Sequence, residues 1–342
     1  MDYTEQEILS QFGSCRQTIE YMLNRQIEIC DVFSGAKRIV FTGAGSSFCV
    51  AKSAEKILKL RMGIDTMVIA AGDLLLNYEK YKTYLDGSHI VCLSRSGNTS
   101  ELLLSVKRII ADLNVVCISI CMQKDSELAK LCSLNLTLDW AFDRSVCQTQ
   151  SVTNLYLACA MLTAIISDDL SIAEDFRKVA GNGMYFYQCN DALYHEIADK
   201  EWNSVAVLAD CEIAGLAEEG ALAFKEISRI QSNHYHLMDV RHGPIVNIDG
   251  HTLVVLVADE VNQYVLDLVK DIKNKGAIVL TMSMCDETLG GDMHIYHSNT
   301  QSIIAAALYM IFSVQMIALY KAKNLNYNPD LPEGLDACIR FN

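Results

Sequence analysis

Glu219 and Glu226 stand seven residues apart in GLAEEGALAFKEI, a segment whose apolar residues recur at helical spacing. Seven residues are about two turns, so both carboxylates share one helix face about 10 Å apart. Sixteen residues beyond Glu226 comes His242, in Arg241-His242-Gly243-Pro244, where Gly-Pro makes a turn that presents the imidazole. A carboxylate in a partly dry pocket can move a proton from one carbon to the next, and an imidazole suits acid–base work near neutral pH. Each also has an ordinary use: a glutamate on a solvated helix face, a histidine in a turn.

A second group of residues is rich in glycine and hydroxyls. Residues 92–101 read CLSRSGNTSE, directly after the apolar pair Ile90-Val91, and residues 43–47 read Gly-Ala-Gly-Ser-Ser after Ile39-Val40-Phe41-Thr42. Both lie where a strand gives way to a helix. In open α/β sheets, ligands bind beyond the carboxyl ends of the strands. Glycine there lets the backbone approach closely, and the starting helix adds partial positive charge. Ser94, Arg95, Ser96, Gly97 and Thr99 would surround a phosphate, with Gly45, Ser46 and Ser47 closing the cage from the neighbouring turn. Ser, Thr and Asn are also common helix caps. Two such turns in one half of the chain favour phosphate over capping, because their counterparts in the other half lack this chemistry. A dinucleotide site fits less well. Gly43-x-Gly45 has no third glycine, and Ile69-Ala70-Ala71 stands where an acid should end the next strand.

The elements that position these groups follow from periodicity. Strands are expected at Arg38–Thr42, Thr66–Ala70, His89–Ser94, Val115–Ile120 and Leu134–Leu138, then at Ser204–Ala209, Asn233–Met238, Thr252–Ala258, Ala277–Met282 and Met293–Tyr296. Helical patterns separate them, which implies parallel sheets with helices on both sides. The second half repeats the first: IVFTGAGSSFCVAKSAEKILKL aligns with VAVLADCEIAGLAEEGALAFKE, and VCLSRSGNTSELLLSVK with VLVADEVNQYVLDLVK. The glycine and hydroxyl turns of the first copy become Asp210-Cys211-Glu212 and Asp259-Glu260-Val261-Asn262 in the second. One copy keeps an anion cradle; the other carries acids.

The 342 residues are 51% hydrophobic, which supplies a large core, and the net charge of −14 with no basic face speaks against nucleic acid. Thirteen cysteines without a Cys-x-x-Cys pair, and a start reading MDYTEQEILS, predict a reduced, cytoplasmic setting. Residues 303–320, IIAAALYMIFSVQMIALY, are long enough for a membrane span. Ser313 and Gln315 interrupt the run, and SVTNLYLACAMLTAII at 151–166 matches it, so a repeated buried helix is the simpler expectation. His234 and His236 would share a strand face, but no nearby acid or cysteine completes a metal site, and none is expected.

Strand–GxGSS, SRSGNTSE, DRSVCQTQSVTN and the stretch ALAFKEISRI…VRHGPIVNID together resemble tandem sugar isomerase (SIS) domain proteins, relatives of the isomerase half of glucosamine-6-phosphate synthase. Within that group they are most similar to the tagatose-6-phosphate ketose/aldose isomerases, which act on galactosamine-6-phosphate-type substrates. The similarity runs over about residues 35 to 342. It implies an α/β fold of two tandem SIS domains, each a three-layer αβα sandwich with a five-stranded parallel flavodoxin-like sheet. The expected organisation is a helical segment at 1–34, SIS domains at 35–166 and 195–323, a helical connector at 167–194 and a tail at 324–342.

Under this resemblance Glu226 moves the proton between C1 and C2 of an open-chain six-carbon sugar phosphate, and His242 opens the ring. His242 would reach the partner subunit's site, in a homodimer or a dimer of dimers. Glu219, Arg144, Val146 and Gln148 would line the substrate, and no cofactor is implied. The fructosamine-6-phosphate deglycases share this frame and its RHGP, and SIS domains also serve as sugar-phosphate sensors; these are the alternatives. Two departures matter. The synthase-type isomerases carry a lysine where Ala223 stands and an imine-forming lysine where Ala337 stands. The resemblance therefore stops short of an imine-forming synthase.

Overall fold

The computed structural model describes residues 1–297 and 299–341. The chain forms two compact units, one of residues 1–12 and 175–335, the other of 13–174 and 336–342. Two long helices, α1 (Tyr3–Asn24) and α9 (Ser171–Asp199), run across the divisions.

In the unit of residues 13–174 and 336–342, α2 (Gln26–Phe33) leads into β1 (Arg38–Gly43), α3 (Ser46–Met62), β2 (Asp65–Ala70), α4 (Ala71–Leu76) and α5 (Tyr78–Leu85). Then follow β3 (His89–Ser94), α6 (Ser100–Asp112), β4 (Val116–Cys121), α7 (Glu127–Leu131), β5 (Leu134–Thr137) and α8 (Gln150–Ile166). The strands pair in parallel in the order β2-β1-β3-β4-β5. β1, β3 and β4 are each buried over their last five residues. That burial is why they read as continuous apolar runs and not as alternating ones.

The other unit repeats the plan with β6 (Ser204–Leu208), α10 (Ala214–Ile227), β7 (Gln231–Tyr235), β8 (Thr252–Ala258), α11 (Gln263–Lys273), β9 (Ile278–Ser283), β10 (Met293–Tyr296) and α12 (Ile303–Asn324). Its order, β10-β9-β8-β6-β7, is the first sheet's order copy for copy. Each sheet therefore reverses direction once, between β1 and β3 and between β6 and β8, and a crevice for ligands is expected there. The expected strands are present, within a residue or two at most ends. β7 differs most, because it stops at Tyr235 and not at Met238. Asp210 ends it: its carboxylate accepts from the Leu237 amide at 3.2 Å and lies 2.8 Å from His236 Nδ1. Leu237 and Met238 then pack on the core from a turn.

Among the described residues, α12 is the one helix long and apolar enough to cross a membrane, and its apolar window is wholly buried. The two residues that interrupt its sequence have partners: Ser313 Oγ lies 2.9 Å from Tyr194 Oη, and Gln315 Oε1 accepts from Gln11 Nε2 at 3.1 Å. They are satisfied polar groups of a core helix.

His297 carries an acid sensitivity. Its ring is buried, and neither nitrogen has a hydrogen-bond partner. Burial, helped by His294, holds its pKa down to about 3 from an ordinary value of 6.5. The unfolded chain binds the proton that the folded chain refuses, so the fold is most stable above pH 6.5 and loses stability as pH falls toward 3. The total is on the order of 5 kcal/mol. Replacing the ring, as in His297→Phe, is expected to lower the acid-unfolding midpoint in circular dichroism. An unchanged midpoint would show that His297 does not set it.

Candidate active site

The two hydroxyl turns stand at the carboxyl ends of β1 and β3, adjacent strands of the first sheet. After β1 the backbone passes through Gly45 at φ +55 and enters α3 with Ser46 and Ser47 both buried. Gly43 is tightly enclosed: a Cβ there would stand 2.9 Å from the Ser47 backbone. After β3, Ser94 Oγ accepts from the Gly97 amide at 2.9 Å and Ser96 Oγ from the Asn98 amide at 3.1 Å. Ser94 thus takes up a turn amide and keeps its own O–H to donate. Asn98 braces the turn from outside, donating to Gln123 Oε1 at 3.2 Å and accepting from the Glu127 amide at 3.2 Å.

Within the repeat, the start of α6 differs in capping from that of its counterpart α11, while the starts of α3 and its counterpart α10 both lack a side-chain cap. Neither Gly45 at the start of α3 nor Thr99 at the start of α6 supplies a side-chain cap. Ser126 caps α7, Asn262 caps α11 and Ser302 caps α12 through their side-chain oxygens. α11 is the counterpart of α6 in the repeat. The second copy fills its helix start with an asparagine, while the first leaves the start of α6 without a side-chain cap, as an anion site requires.

Gly97 sits at φ +62, and a Cβ there would fall within 2.5 Å of Ser126 Cβ. Gly97→Ala is therefore expected to cost roughly 3 kcal/mol through strain and overlap. It should also weaken binding of phosphate esters, read by thermal shift with and without a sugar phosphate. A variant that melts and binds like the parent would mean the turn is not fixed as described.

Arg95 differs from the expectation of a direct phosphate ligand. Its side chain is buried, and its Nη groups donate to main-chain carbonyls: Ser145 at 3.0 Å, Val146 at 2.9 Å, Cys147 at 3.5 Å and Ala337 at 2.8 Å. It fastens the 143–149 turn and the C-terminal tail to the cradle. The tail continues alongside. Cys338 Sγ lies 3.3 Å from Ser96 Oγ, the Ile339 carbonyl accepts from the Ser100 amide at 3.2 Å, and the Phe341 amide donates to Ser100 Oγ at 2.9 Å.

The 143–149 turn has its own keystone. Fully buried Asp143 accepts from the Thr149 amide at 2.9 Å, the Ser151 amide at 3.1 Å, Thr149 Oγ1 at 3.1 Å and the Ser151 hydroxyl. Burial pushes its pKa up, while those donors and Arg95 oppose the rise. Val146 and Gln148 are half-buried in this turn and Arg144 is exposed. Gln148 Oε1 accepts from Ser151 Oγ at 3.2 Å.

In the other unit, α10 carries Glu219 and Glu226. Glu219 is 1% exposed and Glu226 is half-buried at the last turn. Beyond β7, a 3₁₀ turn at Asp239–Arg241 leads to His242, which is exposed and followed by Gly243 at φ +124 and Pro244. Arg241 anchors this loop through Asp271, with Nε at 2.9 Å and Nη2 at 2.7 Å. Of the histidine pair, His234 faces the Ala209 carbonyl at 3.1 Å and His236 faces Asp210. No three His, Cys, Asp or Glu side chains among the described residues converge to hold a metal.

Residues 32–166 match the family model described as the SIS domain. The matched segment contains both hydroxyl turns and the Asp143 keystone. Over the whole chain, similarity is wide but distant. The glutamine–fructose-6-phosphate aminotransferase (isomerizing) of Vibrio parahaemolyticus is 23% identical over 329 residues, 92% of this chain and 53% of that protein. The chain thus spans about half the length of that relative. The Escherichia coli tagatose-6-phosphate ketose/aldose isomerase superposes with a TM-score of 0.87 at 20% identity, covering 99% of this chain and 96% of the other. The Thermotoga maritima glucosamine-6-phosphate deaminase gives 0.76 at 24% identity, covering 94% and 99%. The matched segment and the repeat that follows it therefore have the α/β fold of those structures.

Proposed function

We propose that the protein is a phosphosugar isomerase that isomerises or deaminates a six-carbon amino- or keto-sugar phosphate such as galactosamine 6-phosphate. The observation that carries this reading is the pair of turns at the carboxyl ends of the adjacent strands β1 and β3, which carry Ser46, Ser47, Ser94, Ser96 and Thr99. That arrangement suits a dianionic phosphate, which takes hydrogen bonds from hydroxyls and amides and needs no basic surface.

The chemistry then needs one base acting on two adjacent carbons. Glu226, half-buried on a rigid helix, takes the proton from C2 of the open-chain aldose and returns it to C1, while a proton moves from the C2 oxygen or nitrogen to the C1 oxygen. His242 serves ring opening, giving a proton to the ring oxygen as O1 loses one. In this reading two copies assemble, and His242 serves the partner's substrate. Glu219, Val146 and Gln148 contact the sugar. An imine step through a tail lysine has no part in it, since Ala337 holds that position. With a C2 amine, the same proton shift passes through an enolamine to a C2 imine, which water hydrolyses to ketose and ammonia, so deamination needs no further catalyst class.

The test is product release from galactosamine 6-phosphate, glucosamine 6-phosphate and fructosyl-lysine 6-phosphate. Ammonia from an amino-sugar phosphate supports the proposal. Lysine alone identifies a deglycase, and no release from any of the three removes the deaminase form.

A further inference from the structure

The second sheet has a cavity of about 530 Å³ at the carboxyl ends of β6 and β8, where its strand order reverses. This is the place that the phosphate turns occupy in the first sheet. Its chemistry is inverted. Asp210, Glu212, Asp259 and Glu260 line it, and no lysine or arginine does. Asp210 is engaged by His236 and the Leu237 amide. Glu212, Asp259 and Glu260 have neither an ion pair nor a hydrogen-bond partner among the described residues. Burial, together with the charges of Glu212 and Glu260, pushes the Asp259 carboxyl above its ordinary range, so the acids crowd one another with nothing to neutralise them.

The floor is apolar, built from Ile213, Val257, Val265 and Ile303, and the exposed ring of Tyr264 stands among the lining residues. The volume is that of a small-molecule site. A bare metal ion does not fit this description. The carboxylates do not converge as a ligand set, and the apolar floor would contribute nothing to a hard cation. An anion is excluded by charge. A small organic ammonium answers each feature: its charge meets the acids and the aromatic face, and its hydrocarbon body covers the floor.

We infer that the cavity between Asp210–Ile213 and Asp259–Val265 is a binding site for a small organic ammonium with an apolar body, distinct from the phosphate cradle. The duplicated fold then presents one switch point for an anion and one for a cation. The site lies within one unit and uses none of the residues assigned to the isomerase chemistry, so it stands or falls separately from that reading.

The test is calorimetric titration of the full chain with phenethylammonium, its neutral counterpart 2-phenylethanol and magnesium ion. Phenethylammonium is expected to bind one per chain, the alcohol at least about tenfold more weakly, and magnesium not to compete. The double variant Asp259→Asn/Glu260→Gln is expected to lose about tenfold in affinity at an unchanged melting temperature. If that variant misfolds, Glu212→Gln serves, with a smaller loss expected. Equal binding of the alcohol, displacement by magnesium, undiminished binding by a folded acid variant, or no binding at about 10 mM each overturns the inference.

Discussion

Glu226→Gln is expected to lower turnover of the sugar phosphate by about a thousandfold, within the range for losing a general base. The substitution keeps the size and shape of the side chain at the last turn of α10 and removes its charge and basicity. Glu226 is half-buried and not part of the tightly closed core, so the melting temperature should stay within a degree or two of the parent's. Sugar-phosphate binding should survive as well, because the proposed function assigns the phosphate to the hydroxyl turns. The expected signature is therefore a large fall in kcat with little change in KM. A variant that keeps even a tenth of the parent's turnover would take the base role away from Glu226.

Arg95→Ala should have the next largest effect, and of a different kind. The guanidinium donates to four carbonyls on two stretches of chain, the 145–147 turn and Ala337 of the tail, and ties both to the cradle turn that carries Arg95 itself. Truncation removes a charged donor from those carbonyls and opens a hole, at a cost of roughly 3 kcal/mol. The turn and the tail should then loosen from the cradle. KM for the sugar phosphate is expected to rise about tenfold or more while kcat falls less. Arg95→Lys separates positioning from charge. A lysine brings the same charge without the planar fork, so it should recover little of the loss. Full recovery by lysine would make Arg95 a simple phosphate counter-charge. A normal KM in the alanine variant would leave it with no part in the site.

Much of this was legible in the sequence. The ten strands and the repeat were legible, most plainly the central strands β1, β3, β4, β6, β8 and β9, whose continuous burial leaves apolar runs that are hard to mistake. The two hydroxyl turns were legible because glycine and serine at the end of a buried strand are costly unless they serve a turn or a ligand. The role of Arg95 was not. A cation between two cradle serines reads as a ligand, and only the structure reveals that its donors go to carbonyls. The tail was invisible for a related reason. LPEGLDACIRFN has no periodicity, and its contacts at Ala337, Ile339 and Phe341 are made by main-chain atoms, which leave little mark on residue type. The end of β7 was misread because Leu237 and Met238 continue an apolar run, while the group that stops the strand, Asp210, lies 27 residues earlier than Leu237 in the chain.

The central claim is proton movement between C1 and C2 of a phosphosugar. Its most direct test is proton NMR of tagatose 6-phosphate, fructose 6-phosphate and galactosamine 6-phosphate incubated with the protein in deuterium oxide. The account predicts that solvent deuterium enters at C1 or C2 of at least one of them, and that Glu226→Gln abolishes the exchange. No exchange on any of the three, with the same compounds raising the melting temperature, would contradict it and leave a module that binds sugar phosphates without transforming them.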